Sequence, residues 1–264
     1  MSSATITTSA RLMNSTPQTE EQAMVRKVAV SSFLGNFIEW FDYASYSYFA
    51  TTIALVFFPT DNHTVAMLQT FGVFALSFIL RPIGALFWGS YGDKKGRKAA
   101  LAHSIMFMSG ASFLIGCLPS YSVIGVGAPI LLLLLRMVQG FSASGEYAGA
   151  ATFLGEYAPT SKRGIYCSLI PASTAIGLLA GSTLATLMTA NMNSSAMVGW
   201  GWRVPFLLAG PLGLIVLYIR AKLADSPVYQ SMNDALESKG AASADGQIAA
   251  KSGMVAPLAE LFHN

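Results

Sequence analysis

Glu39 and Asp42 stand three residues apart in "NFIEWFDYASY", residues 36–46, a stretch otherwise suited to a membrane. A carboxylate at the bilayer centre costs about 2.5–3.5 kcal/mol on insertion scales, so keeping two there implies a use for them. At about 100° per residue, Ser32, Asn36, Glu39, Asp42, Tyr43 and Tyr46 share one helical face. Phe33, Phe37, Phe41, Ala44 and Tyr48 share the other. A second polar stripe carries Arg136, Gln139, Gly140, Ala143, Glu146, Tyr147 and Ala150.

Two such stripes imply a water-accessible cavity between them that binds a charged solute and a proton. Two acids a turn apart in a poorly solvated site need two cationic partners or a proton. Asp42 or Glu39 is the expected proton carrier, with Glu146 next. Arg136 is the expected anchor for a solute carboxylate, through paired hydrogen bonds. Tyrosine faces suit a quaternary ammonium, at about 0.5–2 kcal/mol. The competing assignment for every one of these charges is an ion pair that locks helices together. It weighs most for Arg81, followed by Pro82 and expected near the cytoplasmic end of its span. Asp42-Tyr43 and Glu146-Tyr147 form a faint internal echo.

These residues need membrane helices to hold them. The chain has 264 residues, 53% hydrophobic and only 11% charged, where soluble proteins carry about 25% charged residues. Mean hydropathy is +0.51. Apolar runs of about 20 residues give six expected spans, at roughly 28–58, 65–90, 99–118, 127–155, 164–190 and 204–221. The expected fold is all-α and integral to the membrane. Residues 1–27 read as a disordered N-terminus, 28–222 as the helix bundle, and 223–264 as a central loop. That loop opens with a short helix capped by Ser226 and Pro227.

Arg26, Lys27, Lys94, Lys95, Arg97, Lys98, Lys162, Arg163, Arg220 and Lys222 all flank one side of these spans; Arg203 alone flanks the other, beside Trp200 and Trp202. The positive-inside rule then makes the N-terminus cytoplasmic. Cys117 and Cys167 fall near opposite faces, which argues against a disulfide. His63, His103 and His263 are scattered, so no metal centre is expected. Nothing in the charge pattern suggests nucleic-acid binding. An intramembrane serine protease would need Gly-x-Ser-Gly and a membrane histidine; the nearest stretch is Ser142-Ala143-Ser144-Gly145. A passive six-span channel, or a non-transporting half or sensor, is a third class.

"GSYGDKKGRK", residues 89–98, is the most specific motif. Gly89 is expected to let helices approach, and Gly96 to permit a tight turn. Asp93 and Arg97 can make charged contacts at a helix end. Arg97 and Glu156 should lie at similar depth and pair as a cytoplasmic gate, with Arg163 close by. The motif resembles the signature loop of the major facilitator superfamily. "GNFIEWFDY", "FILRPIGALFWGSYGDKKGRK", "RMVQGFSASGEYAGA", "EYAPTSKRG" and "WGWRVPF" resemble its metabolite:proton symporter family, most closely the proline and glycine betaine transporters.

The resemblance implies two three-helix repeats forming the N-terminal half of a twelve-span fold, with a C-terminal half as missing partner. It implies proton-coupled symport in the bacterial plasma membrane, with no cofactor beyond the proton gradient. A zwitterion such as proline or betaine is the first expected substrate; a carboxylate such as 2-oxoglutarate, citrate or shikimate is second.

Overall fold

The computed structural model describes residues 17–223 and Ser231. The expected loop helix after Ser226 lies outside the described residues. Every element among the described residues is helical. They form six rods: Pro17–Tyr48 continued by Ala50–Phe57, His63–Ile79 continued by Arg81–Lys95, Arg97–Cys117, Gly127–Ala143 continued by Glu146–Tyr157, Arg163–Cys167 continued by Leu169–Asn191, and Val204–Ala221. Five of the six are long and apolar enough to cross a membrane. The first is not among them; Glu39, Asp42 and Asn36 lie within its apolar stretch. It begins at Pro17 rather than at 28, so part of the segment expected to be disordered is helical.

Local chemistry sets the ends and bends. Asn62 caps the second rod, its side chain accepting from the amides of Thr64 and Val65. Pro82 interrupts that rod after Leu80, because it has no N–H for the helical ladder. Gly96, at φ 95°, is the only residue between Arg81–Lys95 and Arg97–Cys117. Only glycine takes such a corner cheaply. Lys94 and Lys95 sit in the last turn before it, against the negative end of the helix dipole. At the opposite end of the third rod, Arg203 donates to the carbonyls of Gly116 at 2.8 Å and Leu118 at 2.6 Å. It thereby satisfies groups that a helix C-terminus leaves open.

The rods pack first on fifth, second on fourth, and third on sixth. Exchanging rods one, two and three with four, five and six maps first-on-fifth onto fourth-on-second and leaves third-on-sixth unchanged. That is the pattern of two three-helix repeats. Small residues allow these contacts. Gly177 and Gly181 of the fifth rod lie against Phe37, Phe41 and Ala44 of the first. Gly140 abuts the Ser77 carbonyl, Gly84 abuts Phe141 and Ser144, and Gly145 abuts Trp88. Gly213 abuts Ser109. Gly89, expected to serve a close approach, has no neighbour within 4 Å of where a Cβ would stand.

Two apolar clusters close the ends of the bundle. One joins Val28, Leu101, Phe153, Leu154 and Ile170, at the end rich in Lys and Arg. The other joins Phe57, Ile115, Leu132, Trp202 and Phe206. Both cysteines are free: Cys167 lies against Ala151 near the first cluster, and Cys117 adjoins Leu118 of the second. Leu68, Ile79, Leu114, Leu179 and Leu214 are more than half exposed, an apolar outer surface that suits lipid.

Candidate functional site

The polar stripes of the first and fourth rods split among three separate clusters. Glu39 pairs with Arg81 at 2.5 Å. Arg81 also donates to the Tyr43 hydroxyl. Its guanidinium lies 5.1 Å from the Tyr43 ring centre and 4.7 Å from that of Phe78. Arg81 is 26% exposed, whereas Glu39 is 2% exposed. One Glu39 oxygen, Oε2, has no hydrogen-bond partner among the described residues. Arg81 stands at mid-length of a rod that runs from His63 to Lys95, not near its cytoplasmic end as expected. The expected limit of 90 was too early, because Gly92 and Lys95 remain helical.

Asp42 belongs to a sealed network. Arg136 Nη1 lies 2.6 Å from Asp42 Oδ2, with side chains 0% and 4% exposed. Asp42 Oδ1 accepts from Ser112 Oγ at 2.9 Å and from Gln139 Nε2 at 3.1 Å. Gln139 Oε1 accepts from Arg136 at 3.0 Å. The Arg136 guanidinium lies 3.7 Å from the Tyr46 ring centre, and Tyr46 donates to the Thr70 carbonyl at 2.9 Å. Five side chains from the first, third and fourth rods thus bond or stack on one another, although Nε and Nη2 of Arg136 have no hydrogen-bond partner among the described residues. Polar residues of the two stripes meet one another in reciprocal pairs. Arg136 turns no atom toward an open face.

Glu146 forms the third cluster, with Arg220 as its partner. Arg220 donates to both carboxylate oxygens and also to the Leu101 and Ser31 carbonyls. Ser104 Oγ adds a bond of 3.2 Å. Gly35 lies so close to Glu146 and Arg220 that no side chain fits there. Arg220, expected as a flanking charge, is interior at 1% exposure. Its signal in the sequence was its place in the last turn of an apolar helix, which a deep Glu can recruit. Tyr147 is 45% exposed and does not join Glu146, since the following residue turns about 100° away.

The loop motif is brought together with the end of the fourth rod. Arg97 lies 3.3 Å from Asp93 and 3.8 Å from Glu156. Arg163 is exposed, and Gly89 and Gly92 line a cavity of about 130 Å³ beside Arg97. Sequence reasoning missed Ser104 and Ser112, which look like ordinary small residues of an apolar helix. It also missed the partners of Asn36, whose amide donates to Ser173, Thr174 and the Ile170 carbonyl.

The chain is similar to known proteins in sequence and in fold. The sugar (and other) transporter family model matches residues 27–257. The proline/betaine transporter of Escherichia coli (strain K12) is 42% identical over 217 residues, covering 82% of this chain and 43% of that protein. The glycine betaine/proline/ectoine/pipecolic acid transporter of Dickeya dadantii (strain 3937) is also 42% identical over 217 residues, covering 82% and 43%. The chain therefore spans less than half the length of these curated relatives. Among solved structures, a major facilitator superfamily proton:xylose symporter bound to 6-bromo-6-deoxy-D-glucose superposes with a TM-score of 0.73 at 16% identity. The match covers 82% of this chain and 48% of that one. A partially occluded inward-open xylose transporter from E. coli gives 0.72 at 17% identity, covering 81% and 53%. At such identities the likeness establishes the fold: the six rods have the arrangement of one half of a major facilitator transporter.

Proposed function

This chain belongs to the sugar (and other) transporter family, and we propose that it forms the N-terminal half of a proton-coupled symporter for a small zwitterion. The observation that carries this reading is the Glu39–Arg81–Tyr43 cluster, the one deep ion pair among the described residues whose cation is partly exposed. Arg81 holds Glu39 through Nη2 alone and its Nε has no hydrogen-bond partner, so it keeps donors that a solute carboxylate would use. The rings of Tyr43 and Phe78 beside it suit a quaternary or secondary ammonium. Proline and betaine carry both groups, and the curated relatives are named for them. A mono- or dicarboxylate would use Arg81 without the rings and is the second choice.

Coupling follows from competition for one cation. A solute carboxylate that takes Arg81 leaves Glu39 unpaired in a site with little water. A proton on Glu39 neutralises it there, and Oε2 is free to receive one. Solute and proton therefore favour each other by the same factor. Opening to the cytoplasm releases both, and the Glu39–Arg81 pair re-forms. The N-terminus, Lys94, Lys95 and Lys162 lie on the cytoplasmic side of the bacterial plasma membrane in this reading. A second half completes the cavity. A passive channel is disfavoured by sealed ion pairs where a pore would need solvated walls.

The test uses the complete transporter in vesicles. Labelled betaine or proline should accumulate against its gradient when the outside is acidified, and an uncoupler should collapse the accumulation. Equilibration without accumulation would indicate a channel and overturn the symport reading.

A further inference from the structure

The fourth rod is two helices, and its break lies next to a buried charge. Gly127–Ala143 stops, Ser144 and Gly145 intervene, and Glu146–Tyr157 begins. The Phe141 carbonyl, which a continuous helix would offer to the Gly145 amide, receives the Trp88 indole at 3.1 Å and the Ser144 hydroxyl at 2.6 Å. Side chains thus occupy the acceptor at which the helical ladder is interrupted, a recognised cause of a helix bend.

The lower helix is held at both ends. Glu146, its first residue, is gripped by Arg220 of the sixth rod, which also binds carbonyls of the first and third. Glu156, near its last residue, reaches Arg97. Ten residues separate the two acids, about 15 Å along a helix. Between them the helix borders the cavity of about 130 Å³, lined among others by Trp88, Gly92, Leu101, Gly145 and Gly149. The helix therefore has a bend point, room on one flank, and an ion pair at each end.

We infer that the Glu146–Arg220 pair is a latch that fixes the lower helix of the fourth rod, and that its opening frees the Arg97–Glu156 contact at the other end. Glu146 is then a positioning residue and neither proton carrier nor solute ligand. A sealed ion pair suits this role, because its worth lies in favouring one conformation more than in raw stability. The latch rests on the proposed symport with its opening to the cytoplasm, but its test does not require transport.

Spin labels at Lys95 and Thr160, in the complete protein with both native cysteines replaced, report the distance between the second rod's end and the turn that directly follows the lower helix. With the latch intact, one distance should dominate. Glu146→Gln and Arg220→Gln should each raise a second distance from a minor to a major population. A single variant leaves a lone buried charge and can fail to fold. The double variant Glu146→Gln/Arg220→Gln removes both charges and supplies the decisive measurement. A major second population in it supports the latch. A distribution unchanged from the parent in the folded double variant overturns it, whether or not the protein transports betaine.

Discussion

Asp42 and Arg136 meet at 2.6 Å with essentially no exposure, while Glu39, one turn before Asp42, pairs with the partly exposed Arg81. Neighbouring acids on one helix thus reach cations on different rods and serve different environments. Mean depth in the membrane does not separate them. What separates them is the partner: Arg136 is roofed by Tyr46 and flanked by Gln139 and Ser112, whereas Arg81 stands at a helix break beside exposed Phe78.

The sealed pair predicts a stability pattern. Asp42→Asn or Arg136→Gln alone should destabilise the protein by about 3–5 kcal/mol, because one buried charge is left unmatched. The double variant should recover much of that loss. Thermal unfolding in detergent measures all three. Equal and additive losses would show that the two side chains do not act as a pair.

Glycine positions divide sharply. A Cβ on Gly140 meets the Ser77 carbonyl, and one on Gly84 meets Phe141 and Ser144. Gly140→Ala and Gly84→Ala should lower the melting temperature, since backbone on the other side cannot give way. Gly89→Ala meets nothing and should gain up to about 1 kcal/mol from helix propensity. A destabilised Gly89→Ala in the same assay would reveal a neighbour outside the six rods.

Much of this was legible in the sequence, for identifiable reasons. Apolar runs give the rods, because a lipid-facing helix must be apolar along its whole length. The buried face of the fourth rod, Arg136, Gln139, Gly140, Ala143, Glu146 and Ala150, follows from helical period. The proximity of Arg97 and Glu156 follows from rod lengths. Pairing was not legible. Periodicity tells which face is buried but not against which rod, so Arg220 read as a flanking charge and Glu146 as a cavity residue. The break at Leu80 was signalled by Pro82, yet it gave no hint that Arg81 would reach Glu39, 42 residues earlier.

Orientation is checked by single cysteines in intact cells. Those at Asn62 and Ser194, beside the ends capped by Asn62 and Asn193, should label from outside. One at Lys95 should label only after the membrane is opened. Outside labelling at Lys95 would reverse the assignment.

The Arg97–Glu156 contact should act as a conformational bias. In the complete transporter, Arg97→Ala should impair transport far more than solute binding. Exchanging the two residues should restore part of the rate. Asp93 stays within reach of Arg97 at 3.3 Å, so Glu156→Gln should be the milder variant. Normal transport by Arg97→Ala removes the gate from the mechanism.

The acids of "NFIEWFDYASY" decide whether the proposed coupling is right. Glu39 has a partly exposed cation as partner and one oxygen without a hydrogen bond, whereas both Asp42 oxygens are occupied. If Glu39 carries the proton, Glu39→Gln mimics the loaded state permanently. Arg81 is then free for solute at any pH, so solute–solute exchange should persist and lose its pH dependence. Uphill uptake should vanish, because no proton is released with the solute. Asp42→Asn should act differently: it disturbs the sealed network, so uptake and exchange should fall together, in step with lost stability. Both activities are measured in the same vesicles, with and without a pH gradient. Should Asp42→Asn instead abolish uphill uptake and spare exchange, the proton belongs to the Asp42–Arg136 pair, and Glu39 only positions Arg81. If both variants still accumulate solute with the parent's pH dependence, both acids are helix-locking charges and the coupling site lies elsewhere.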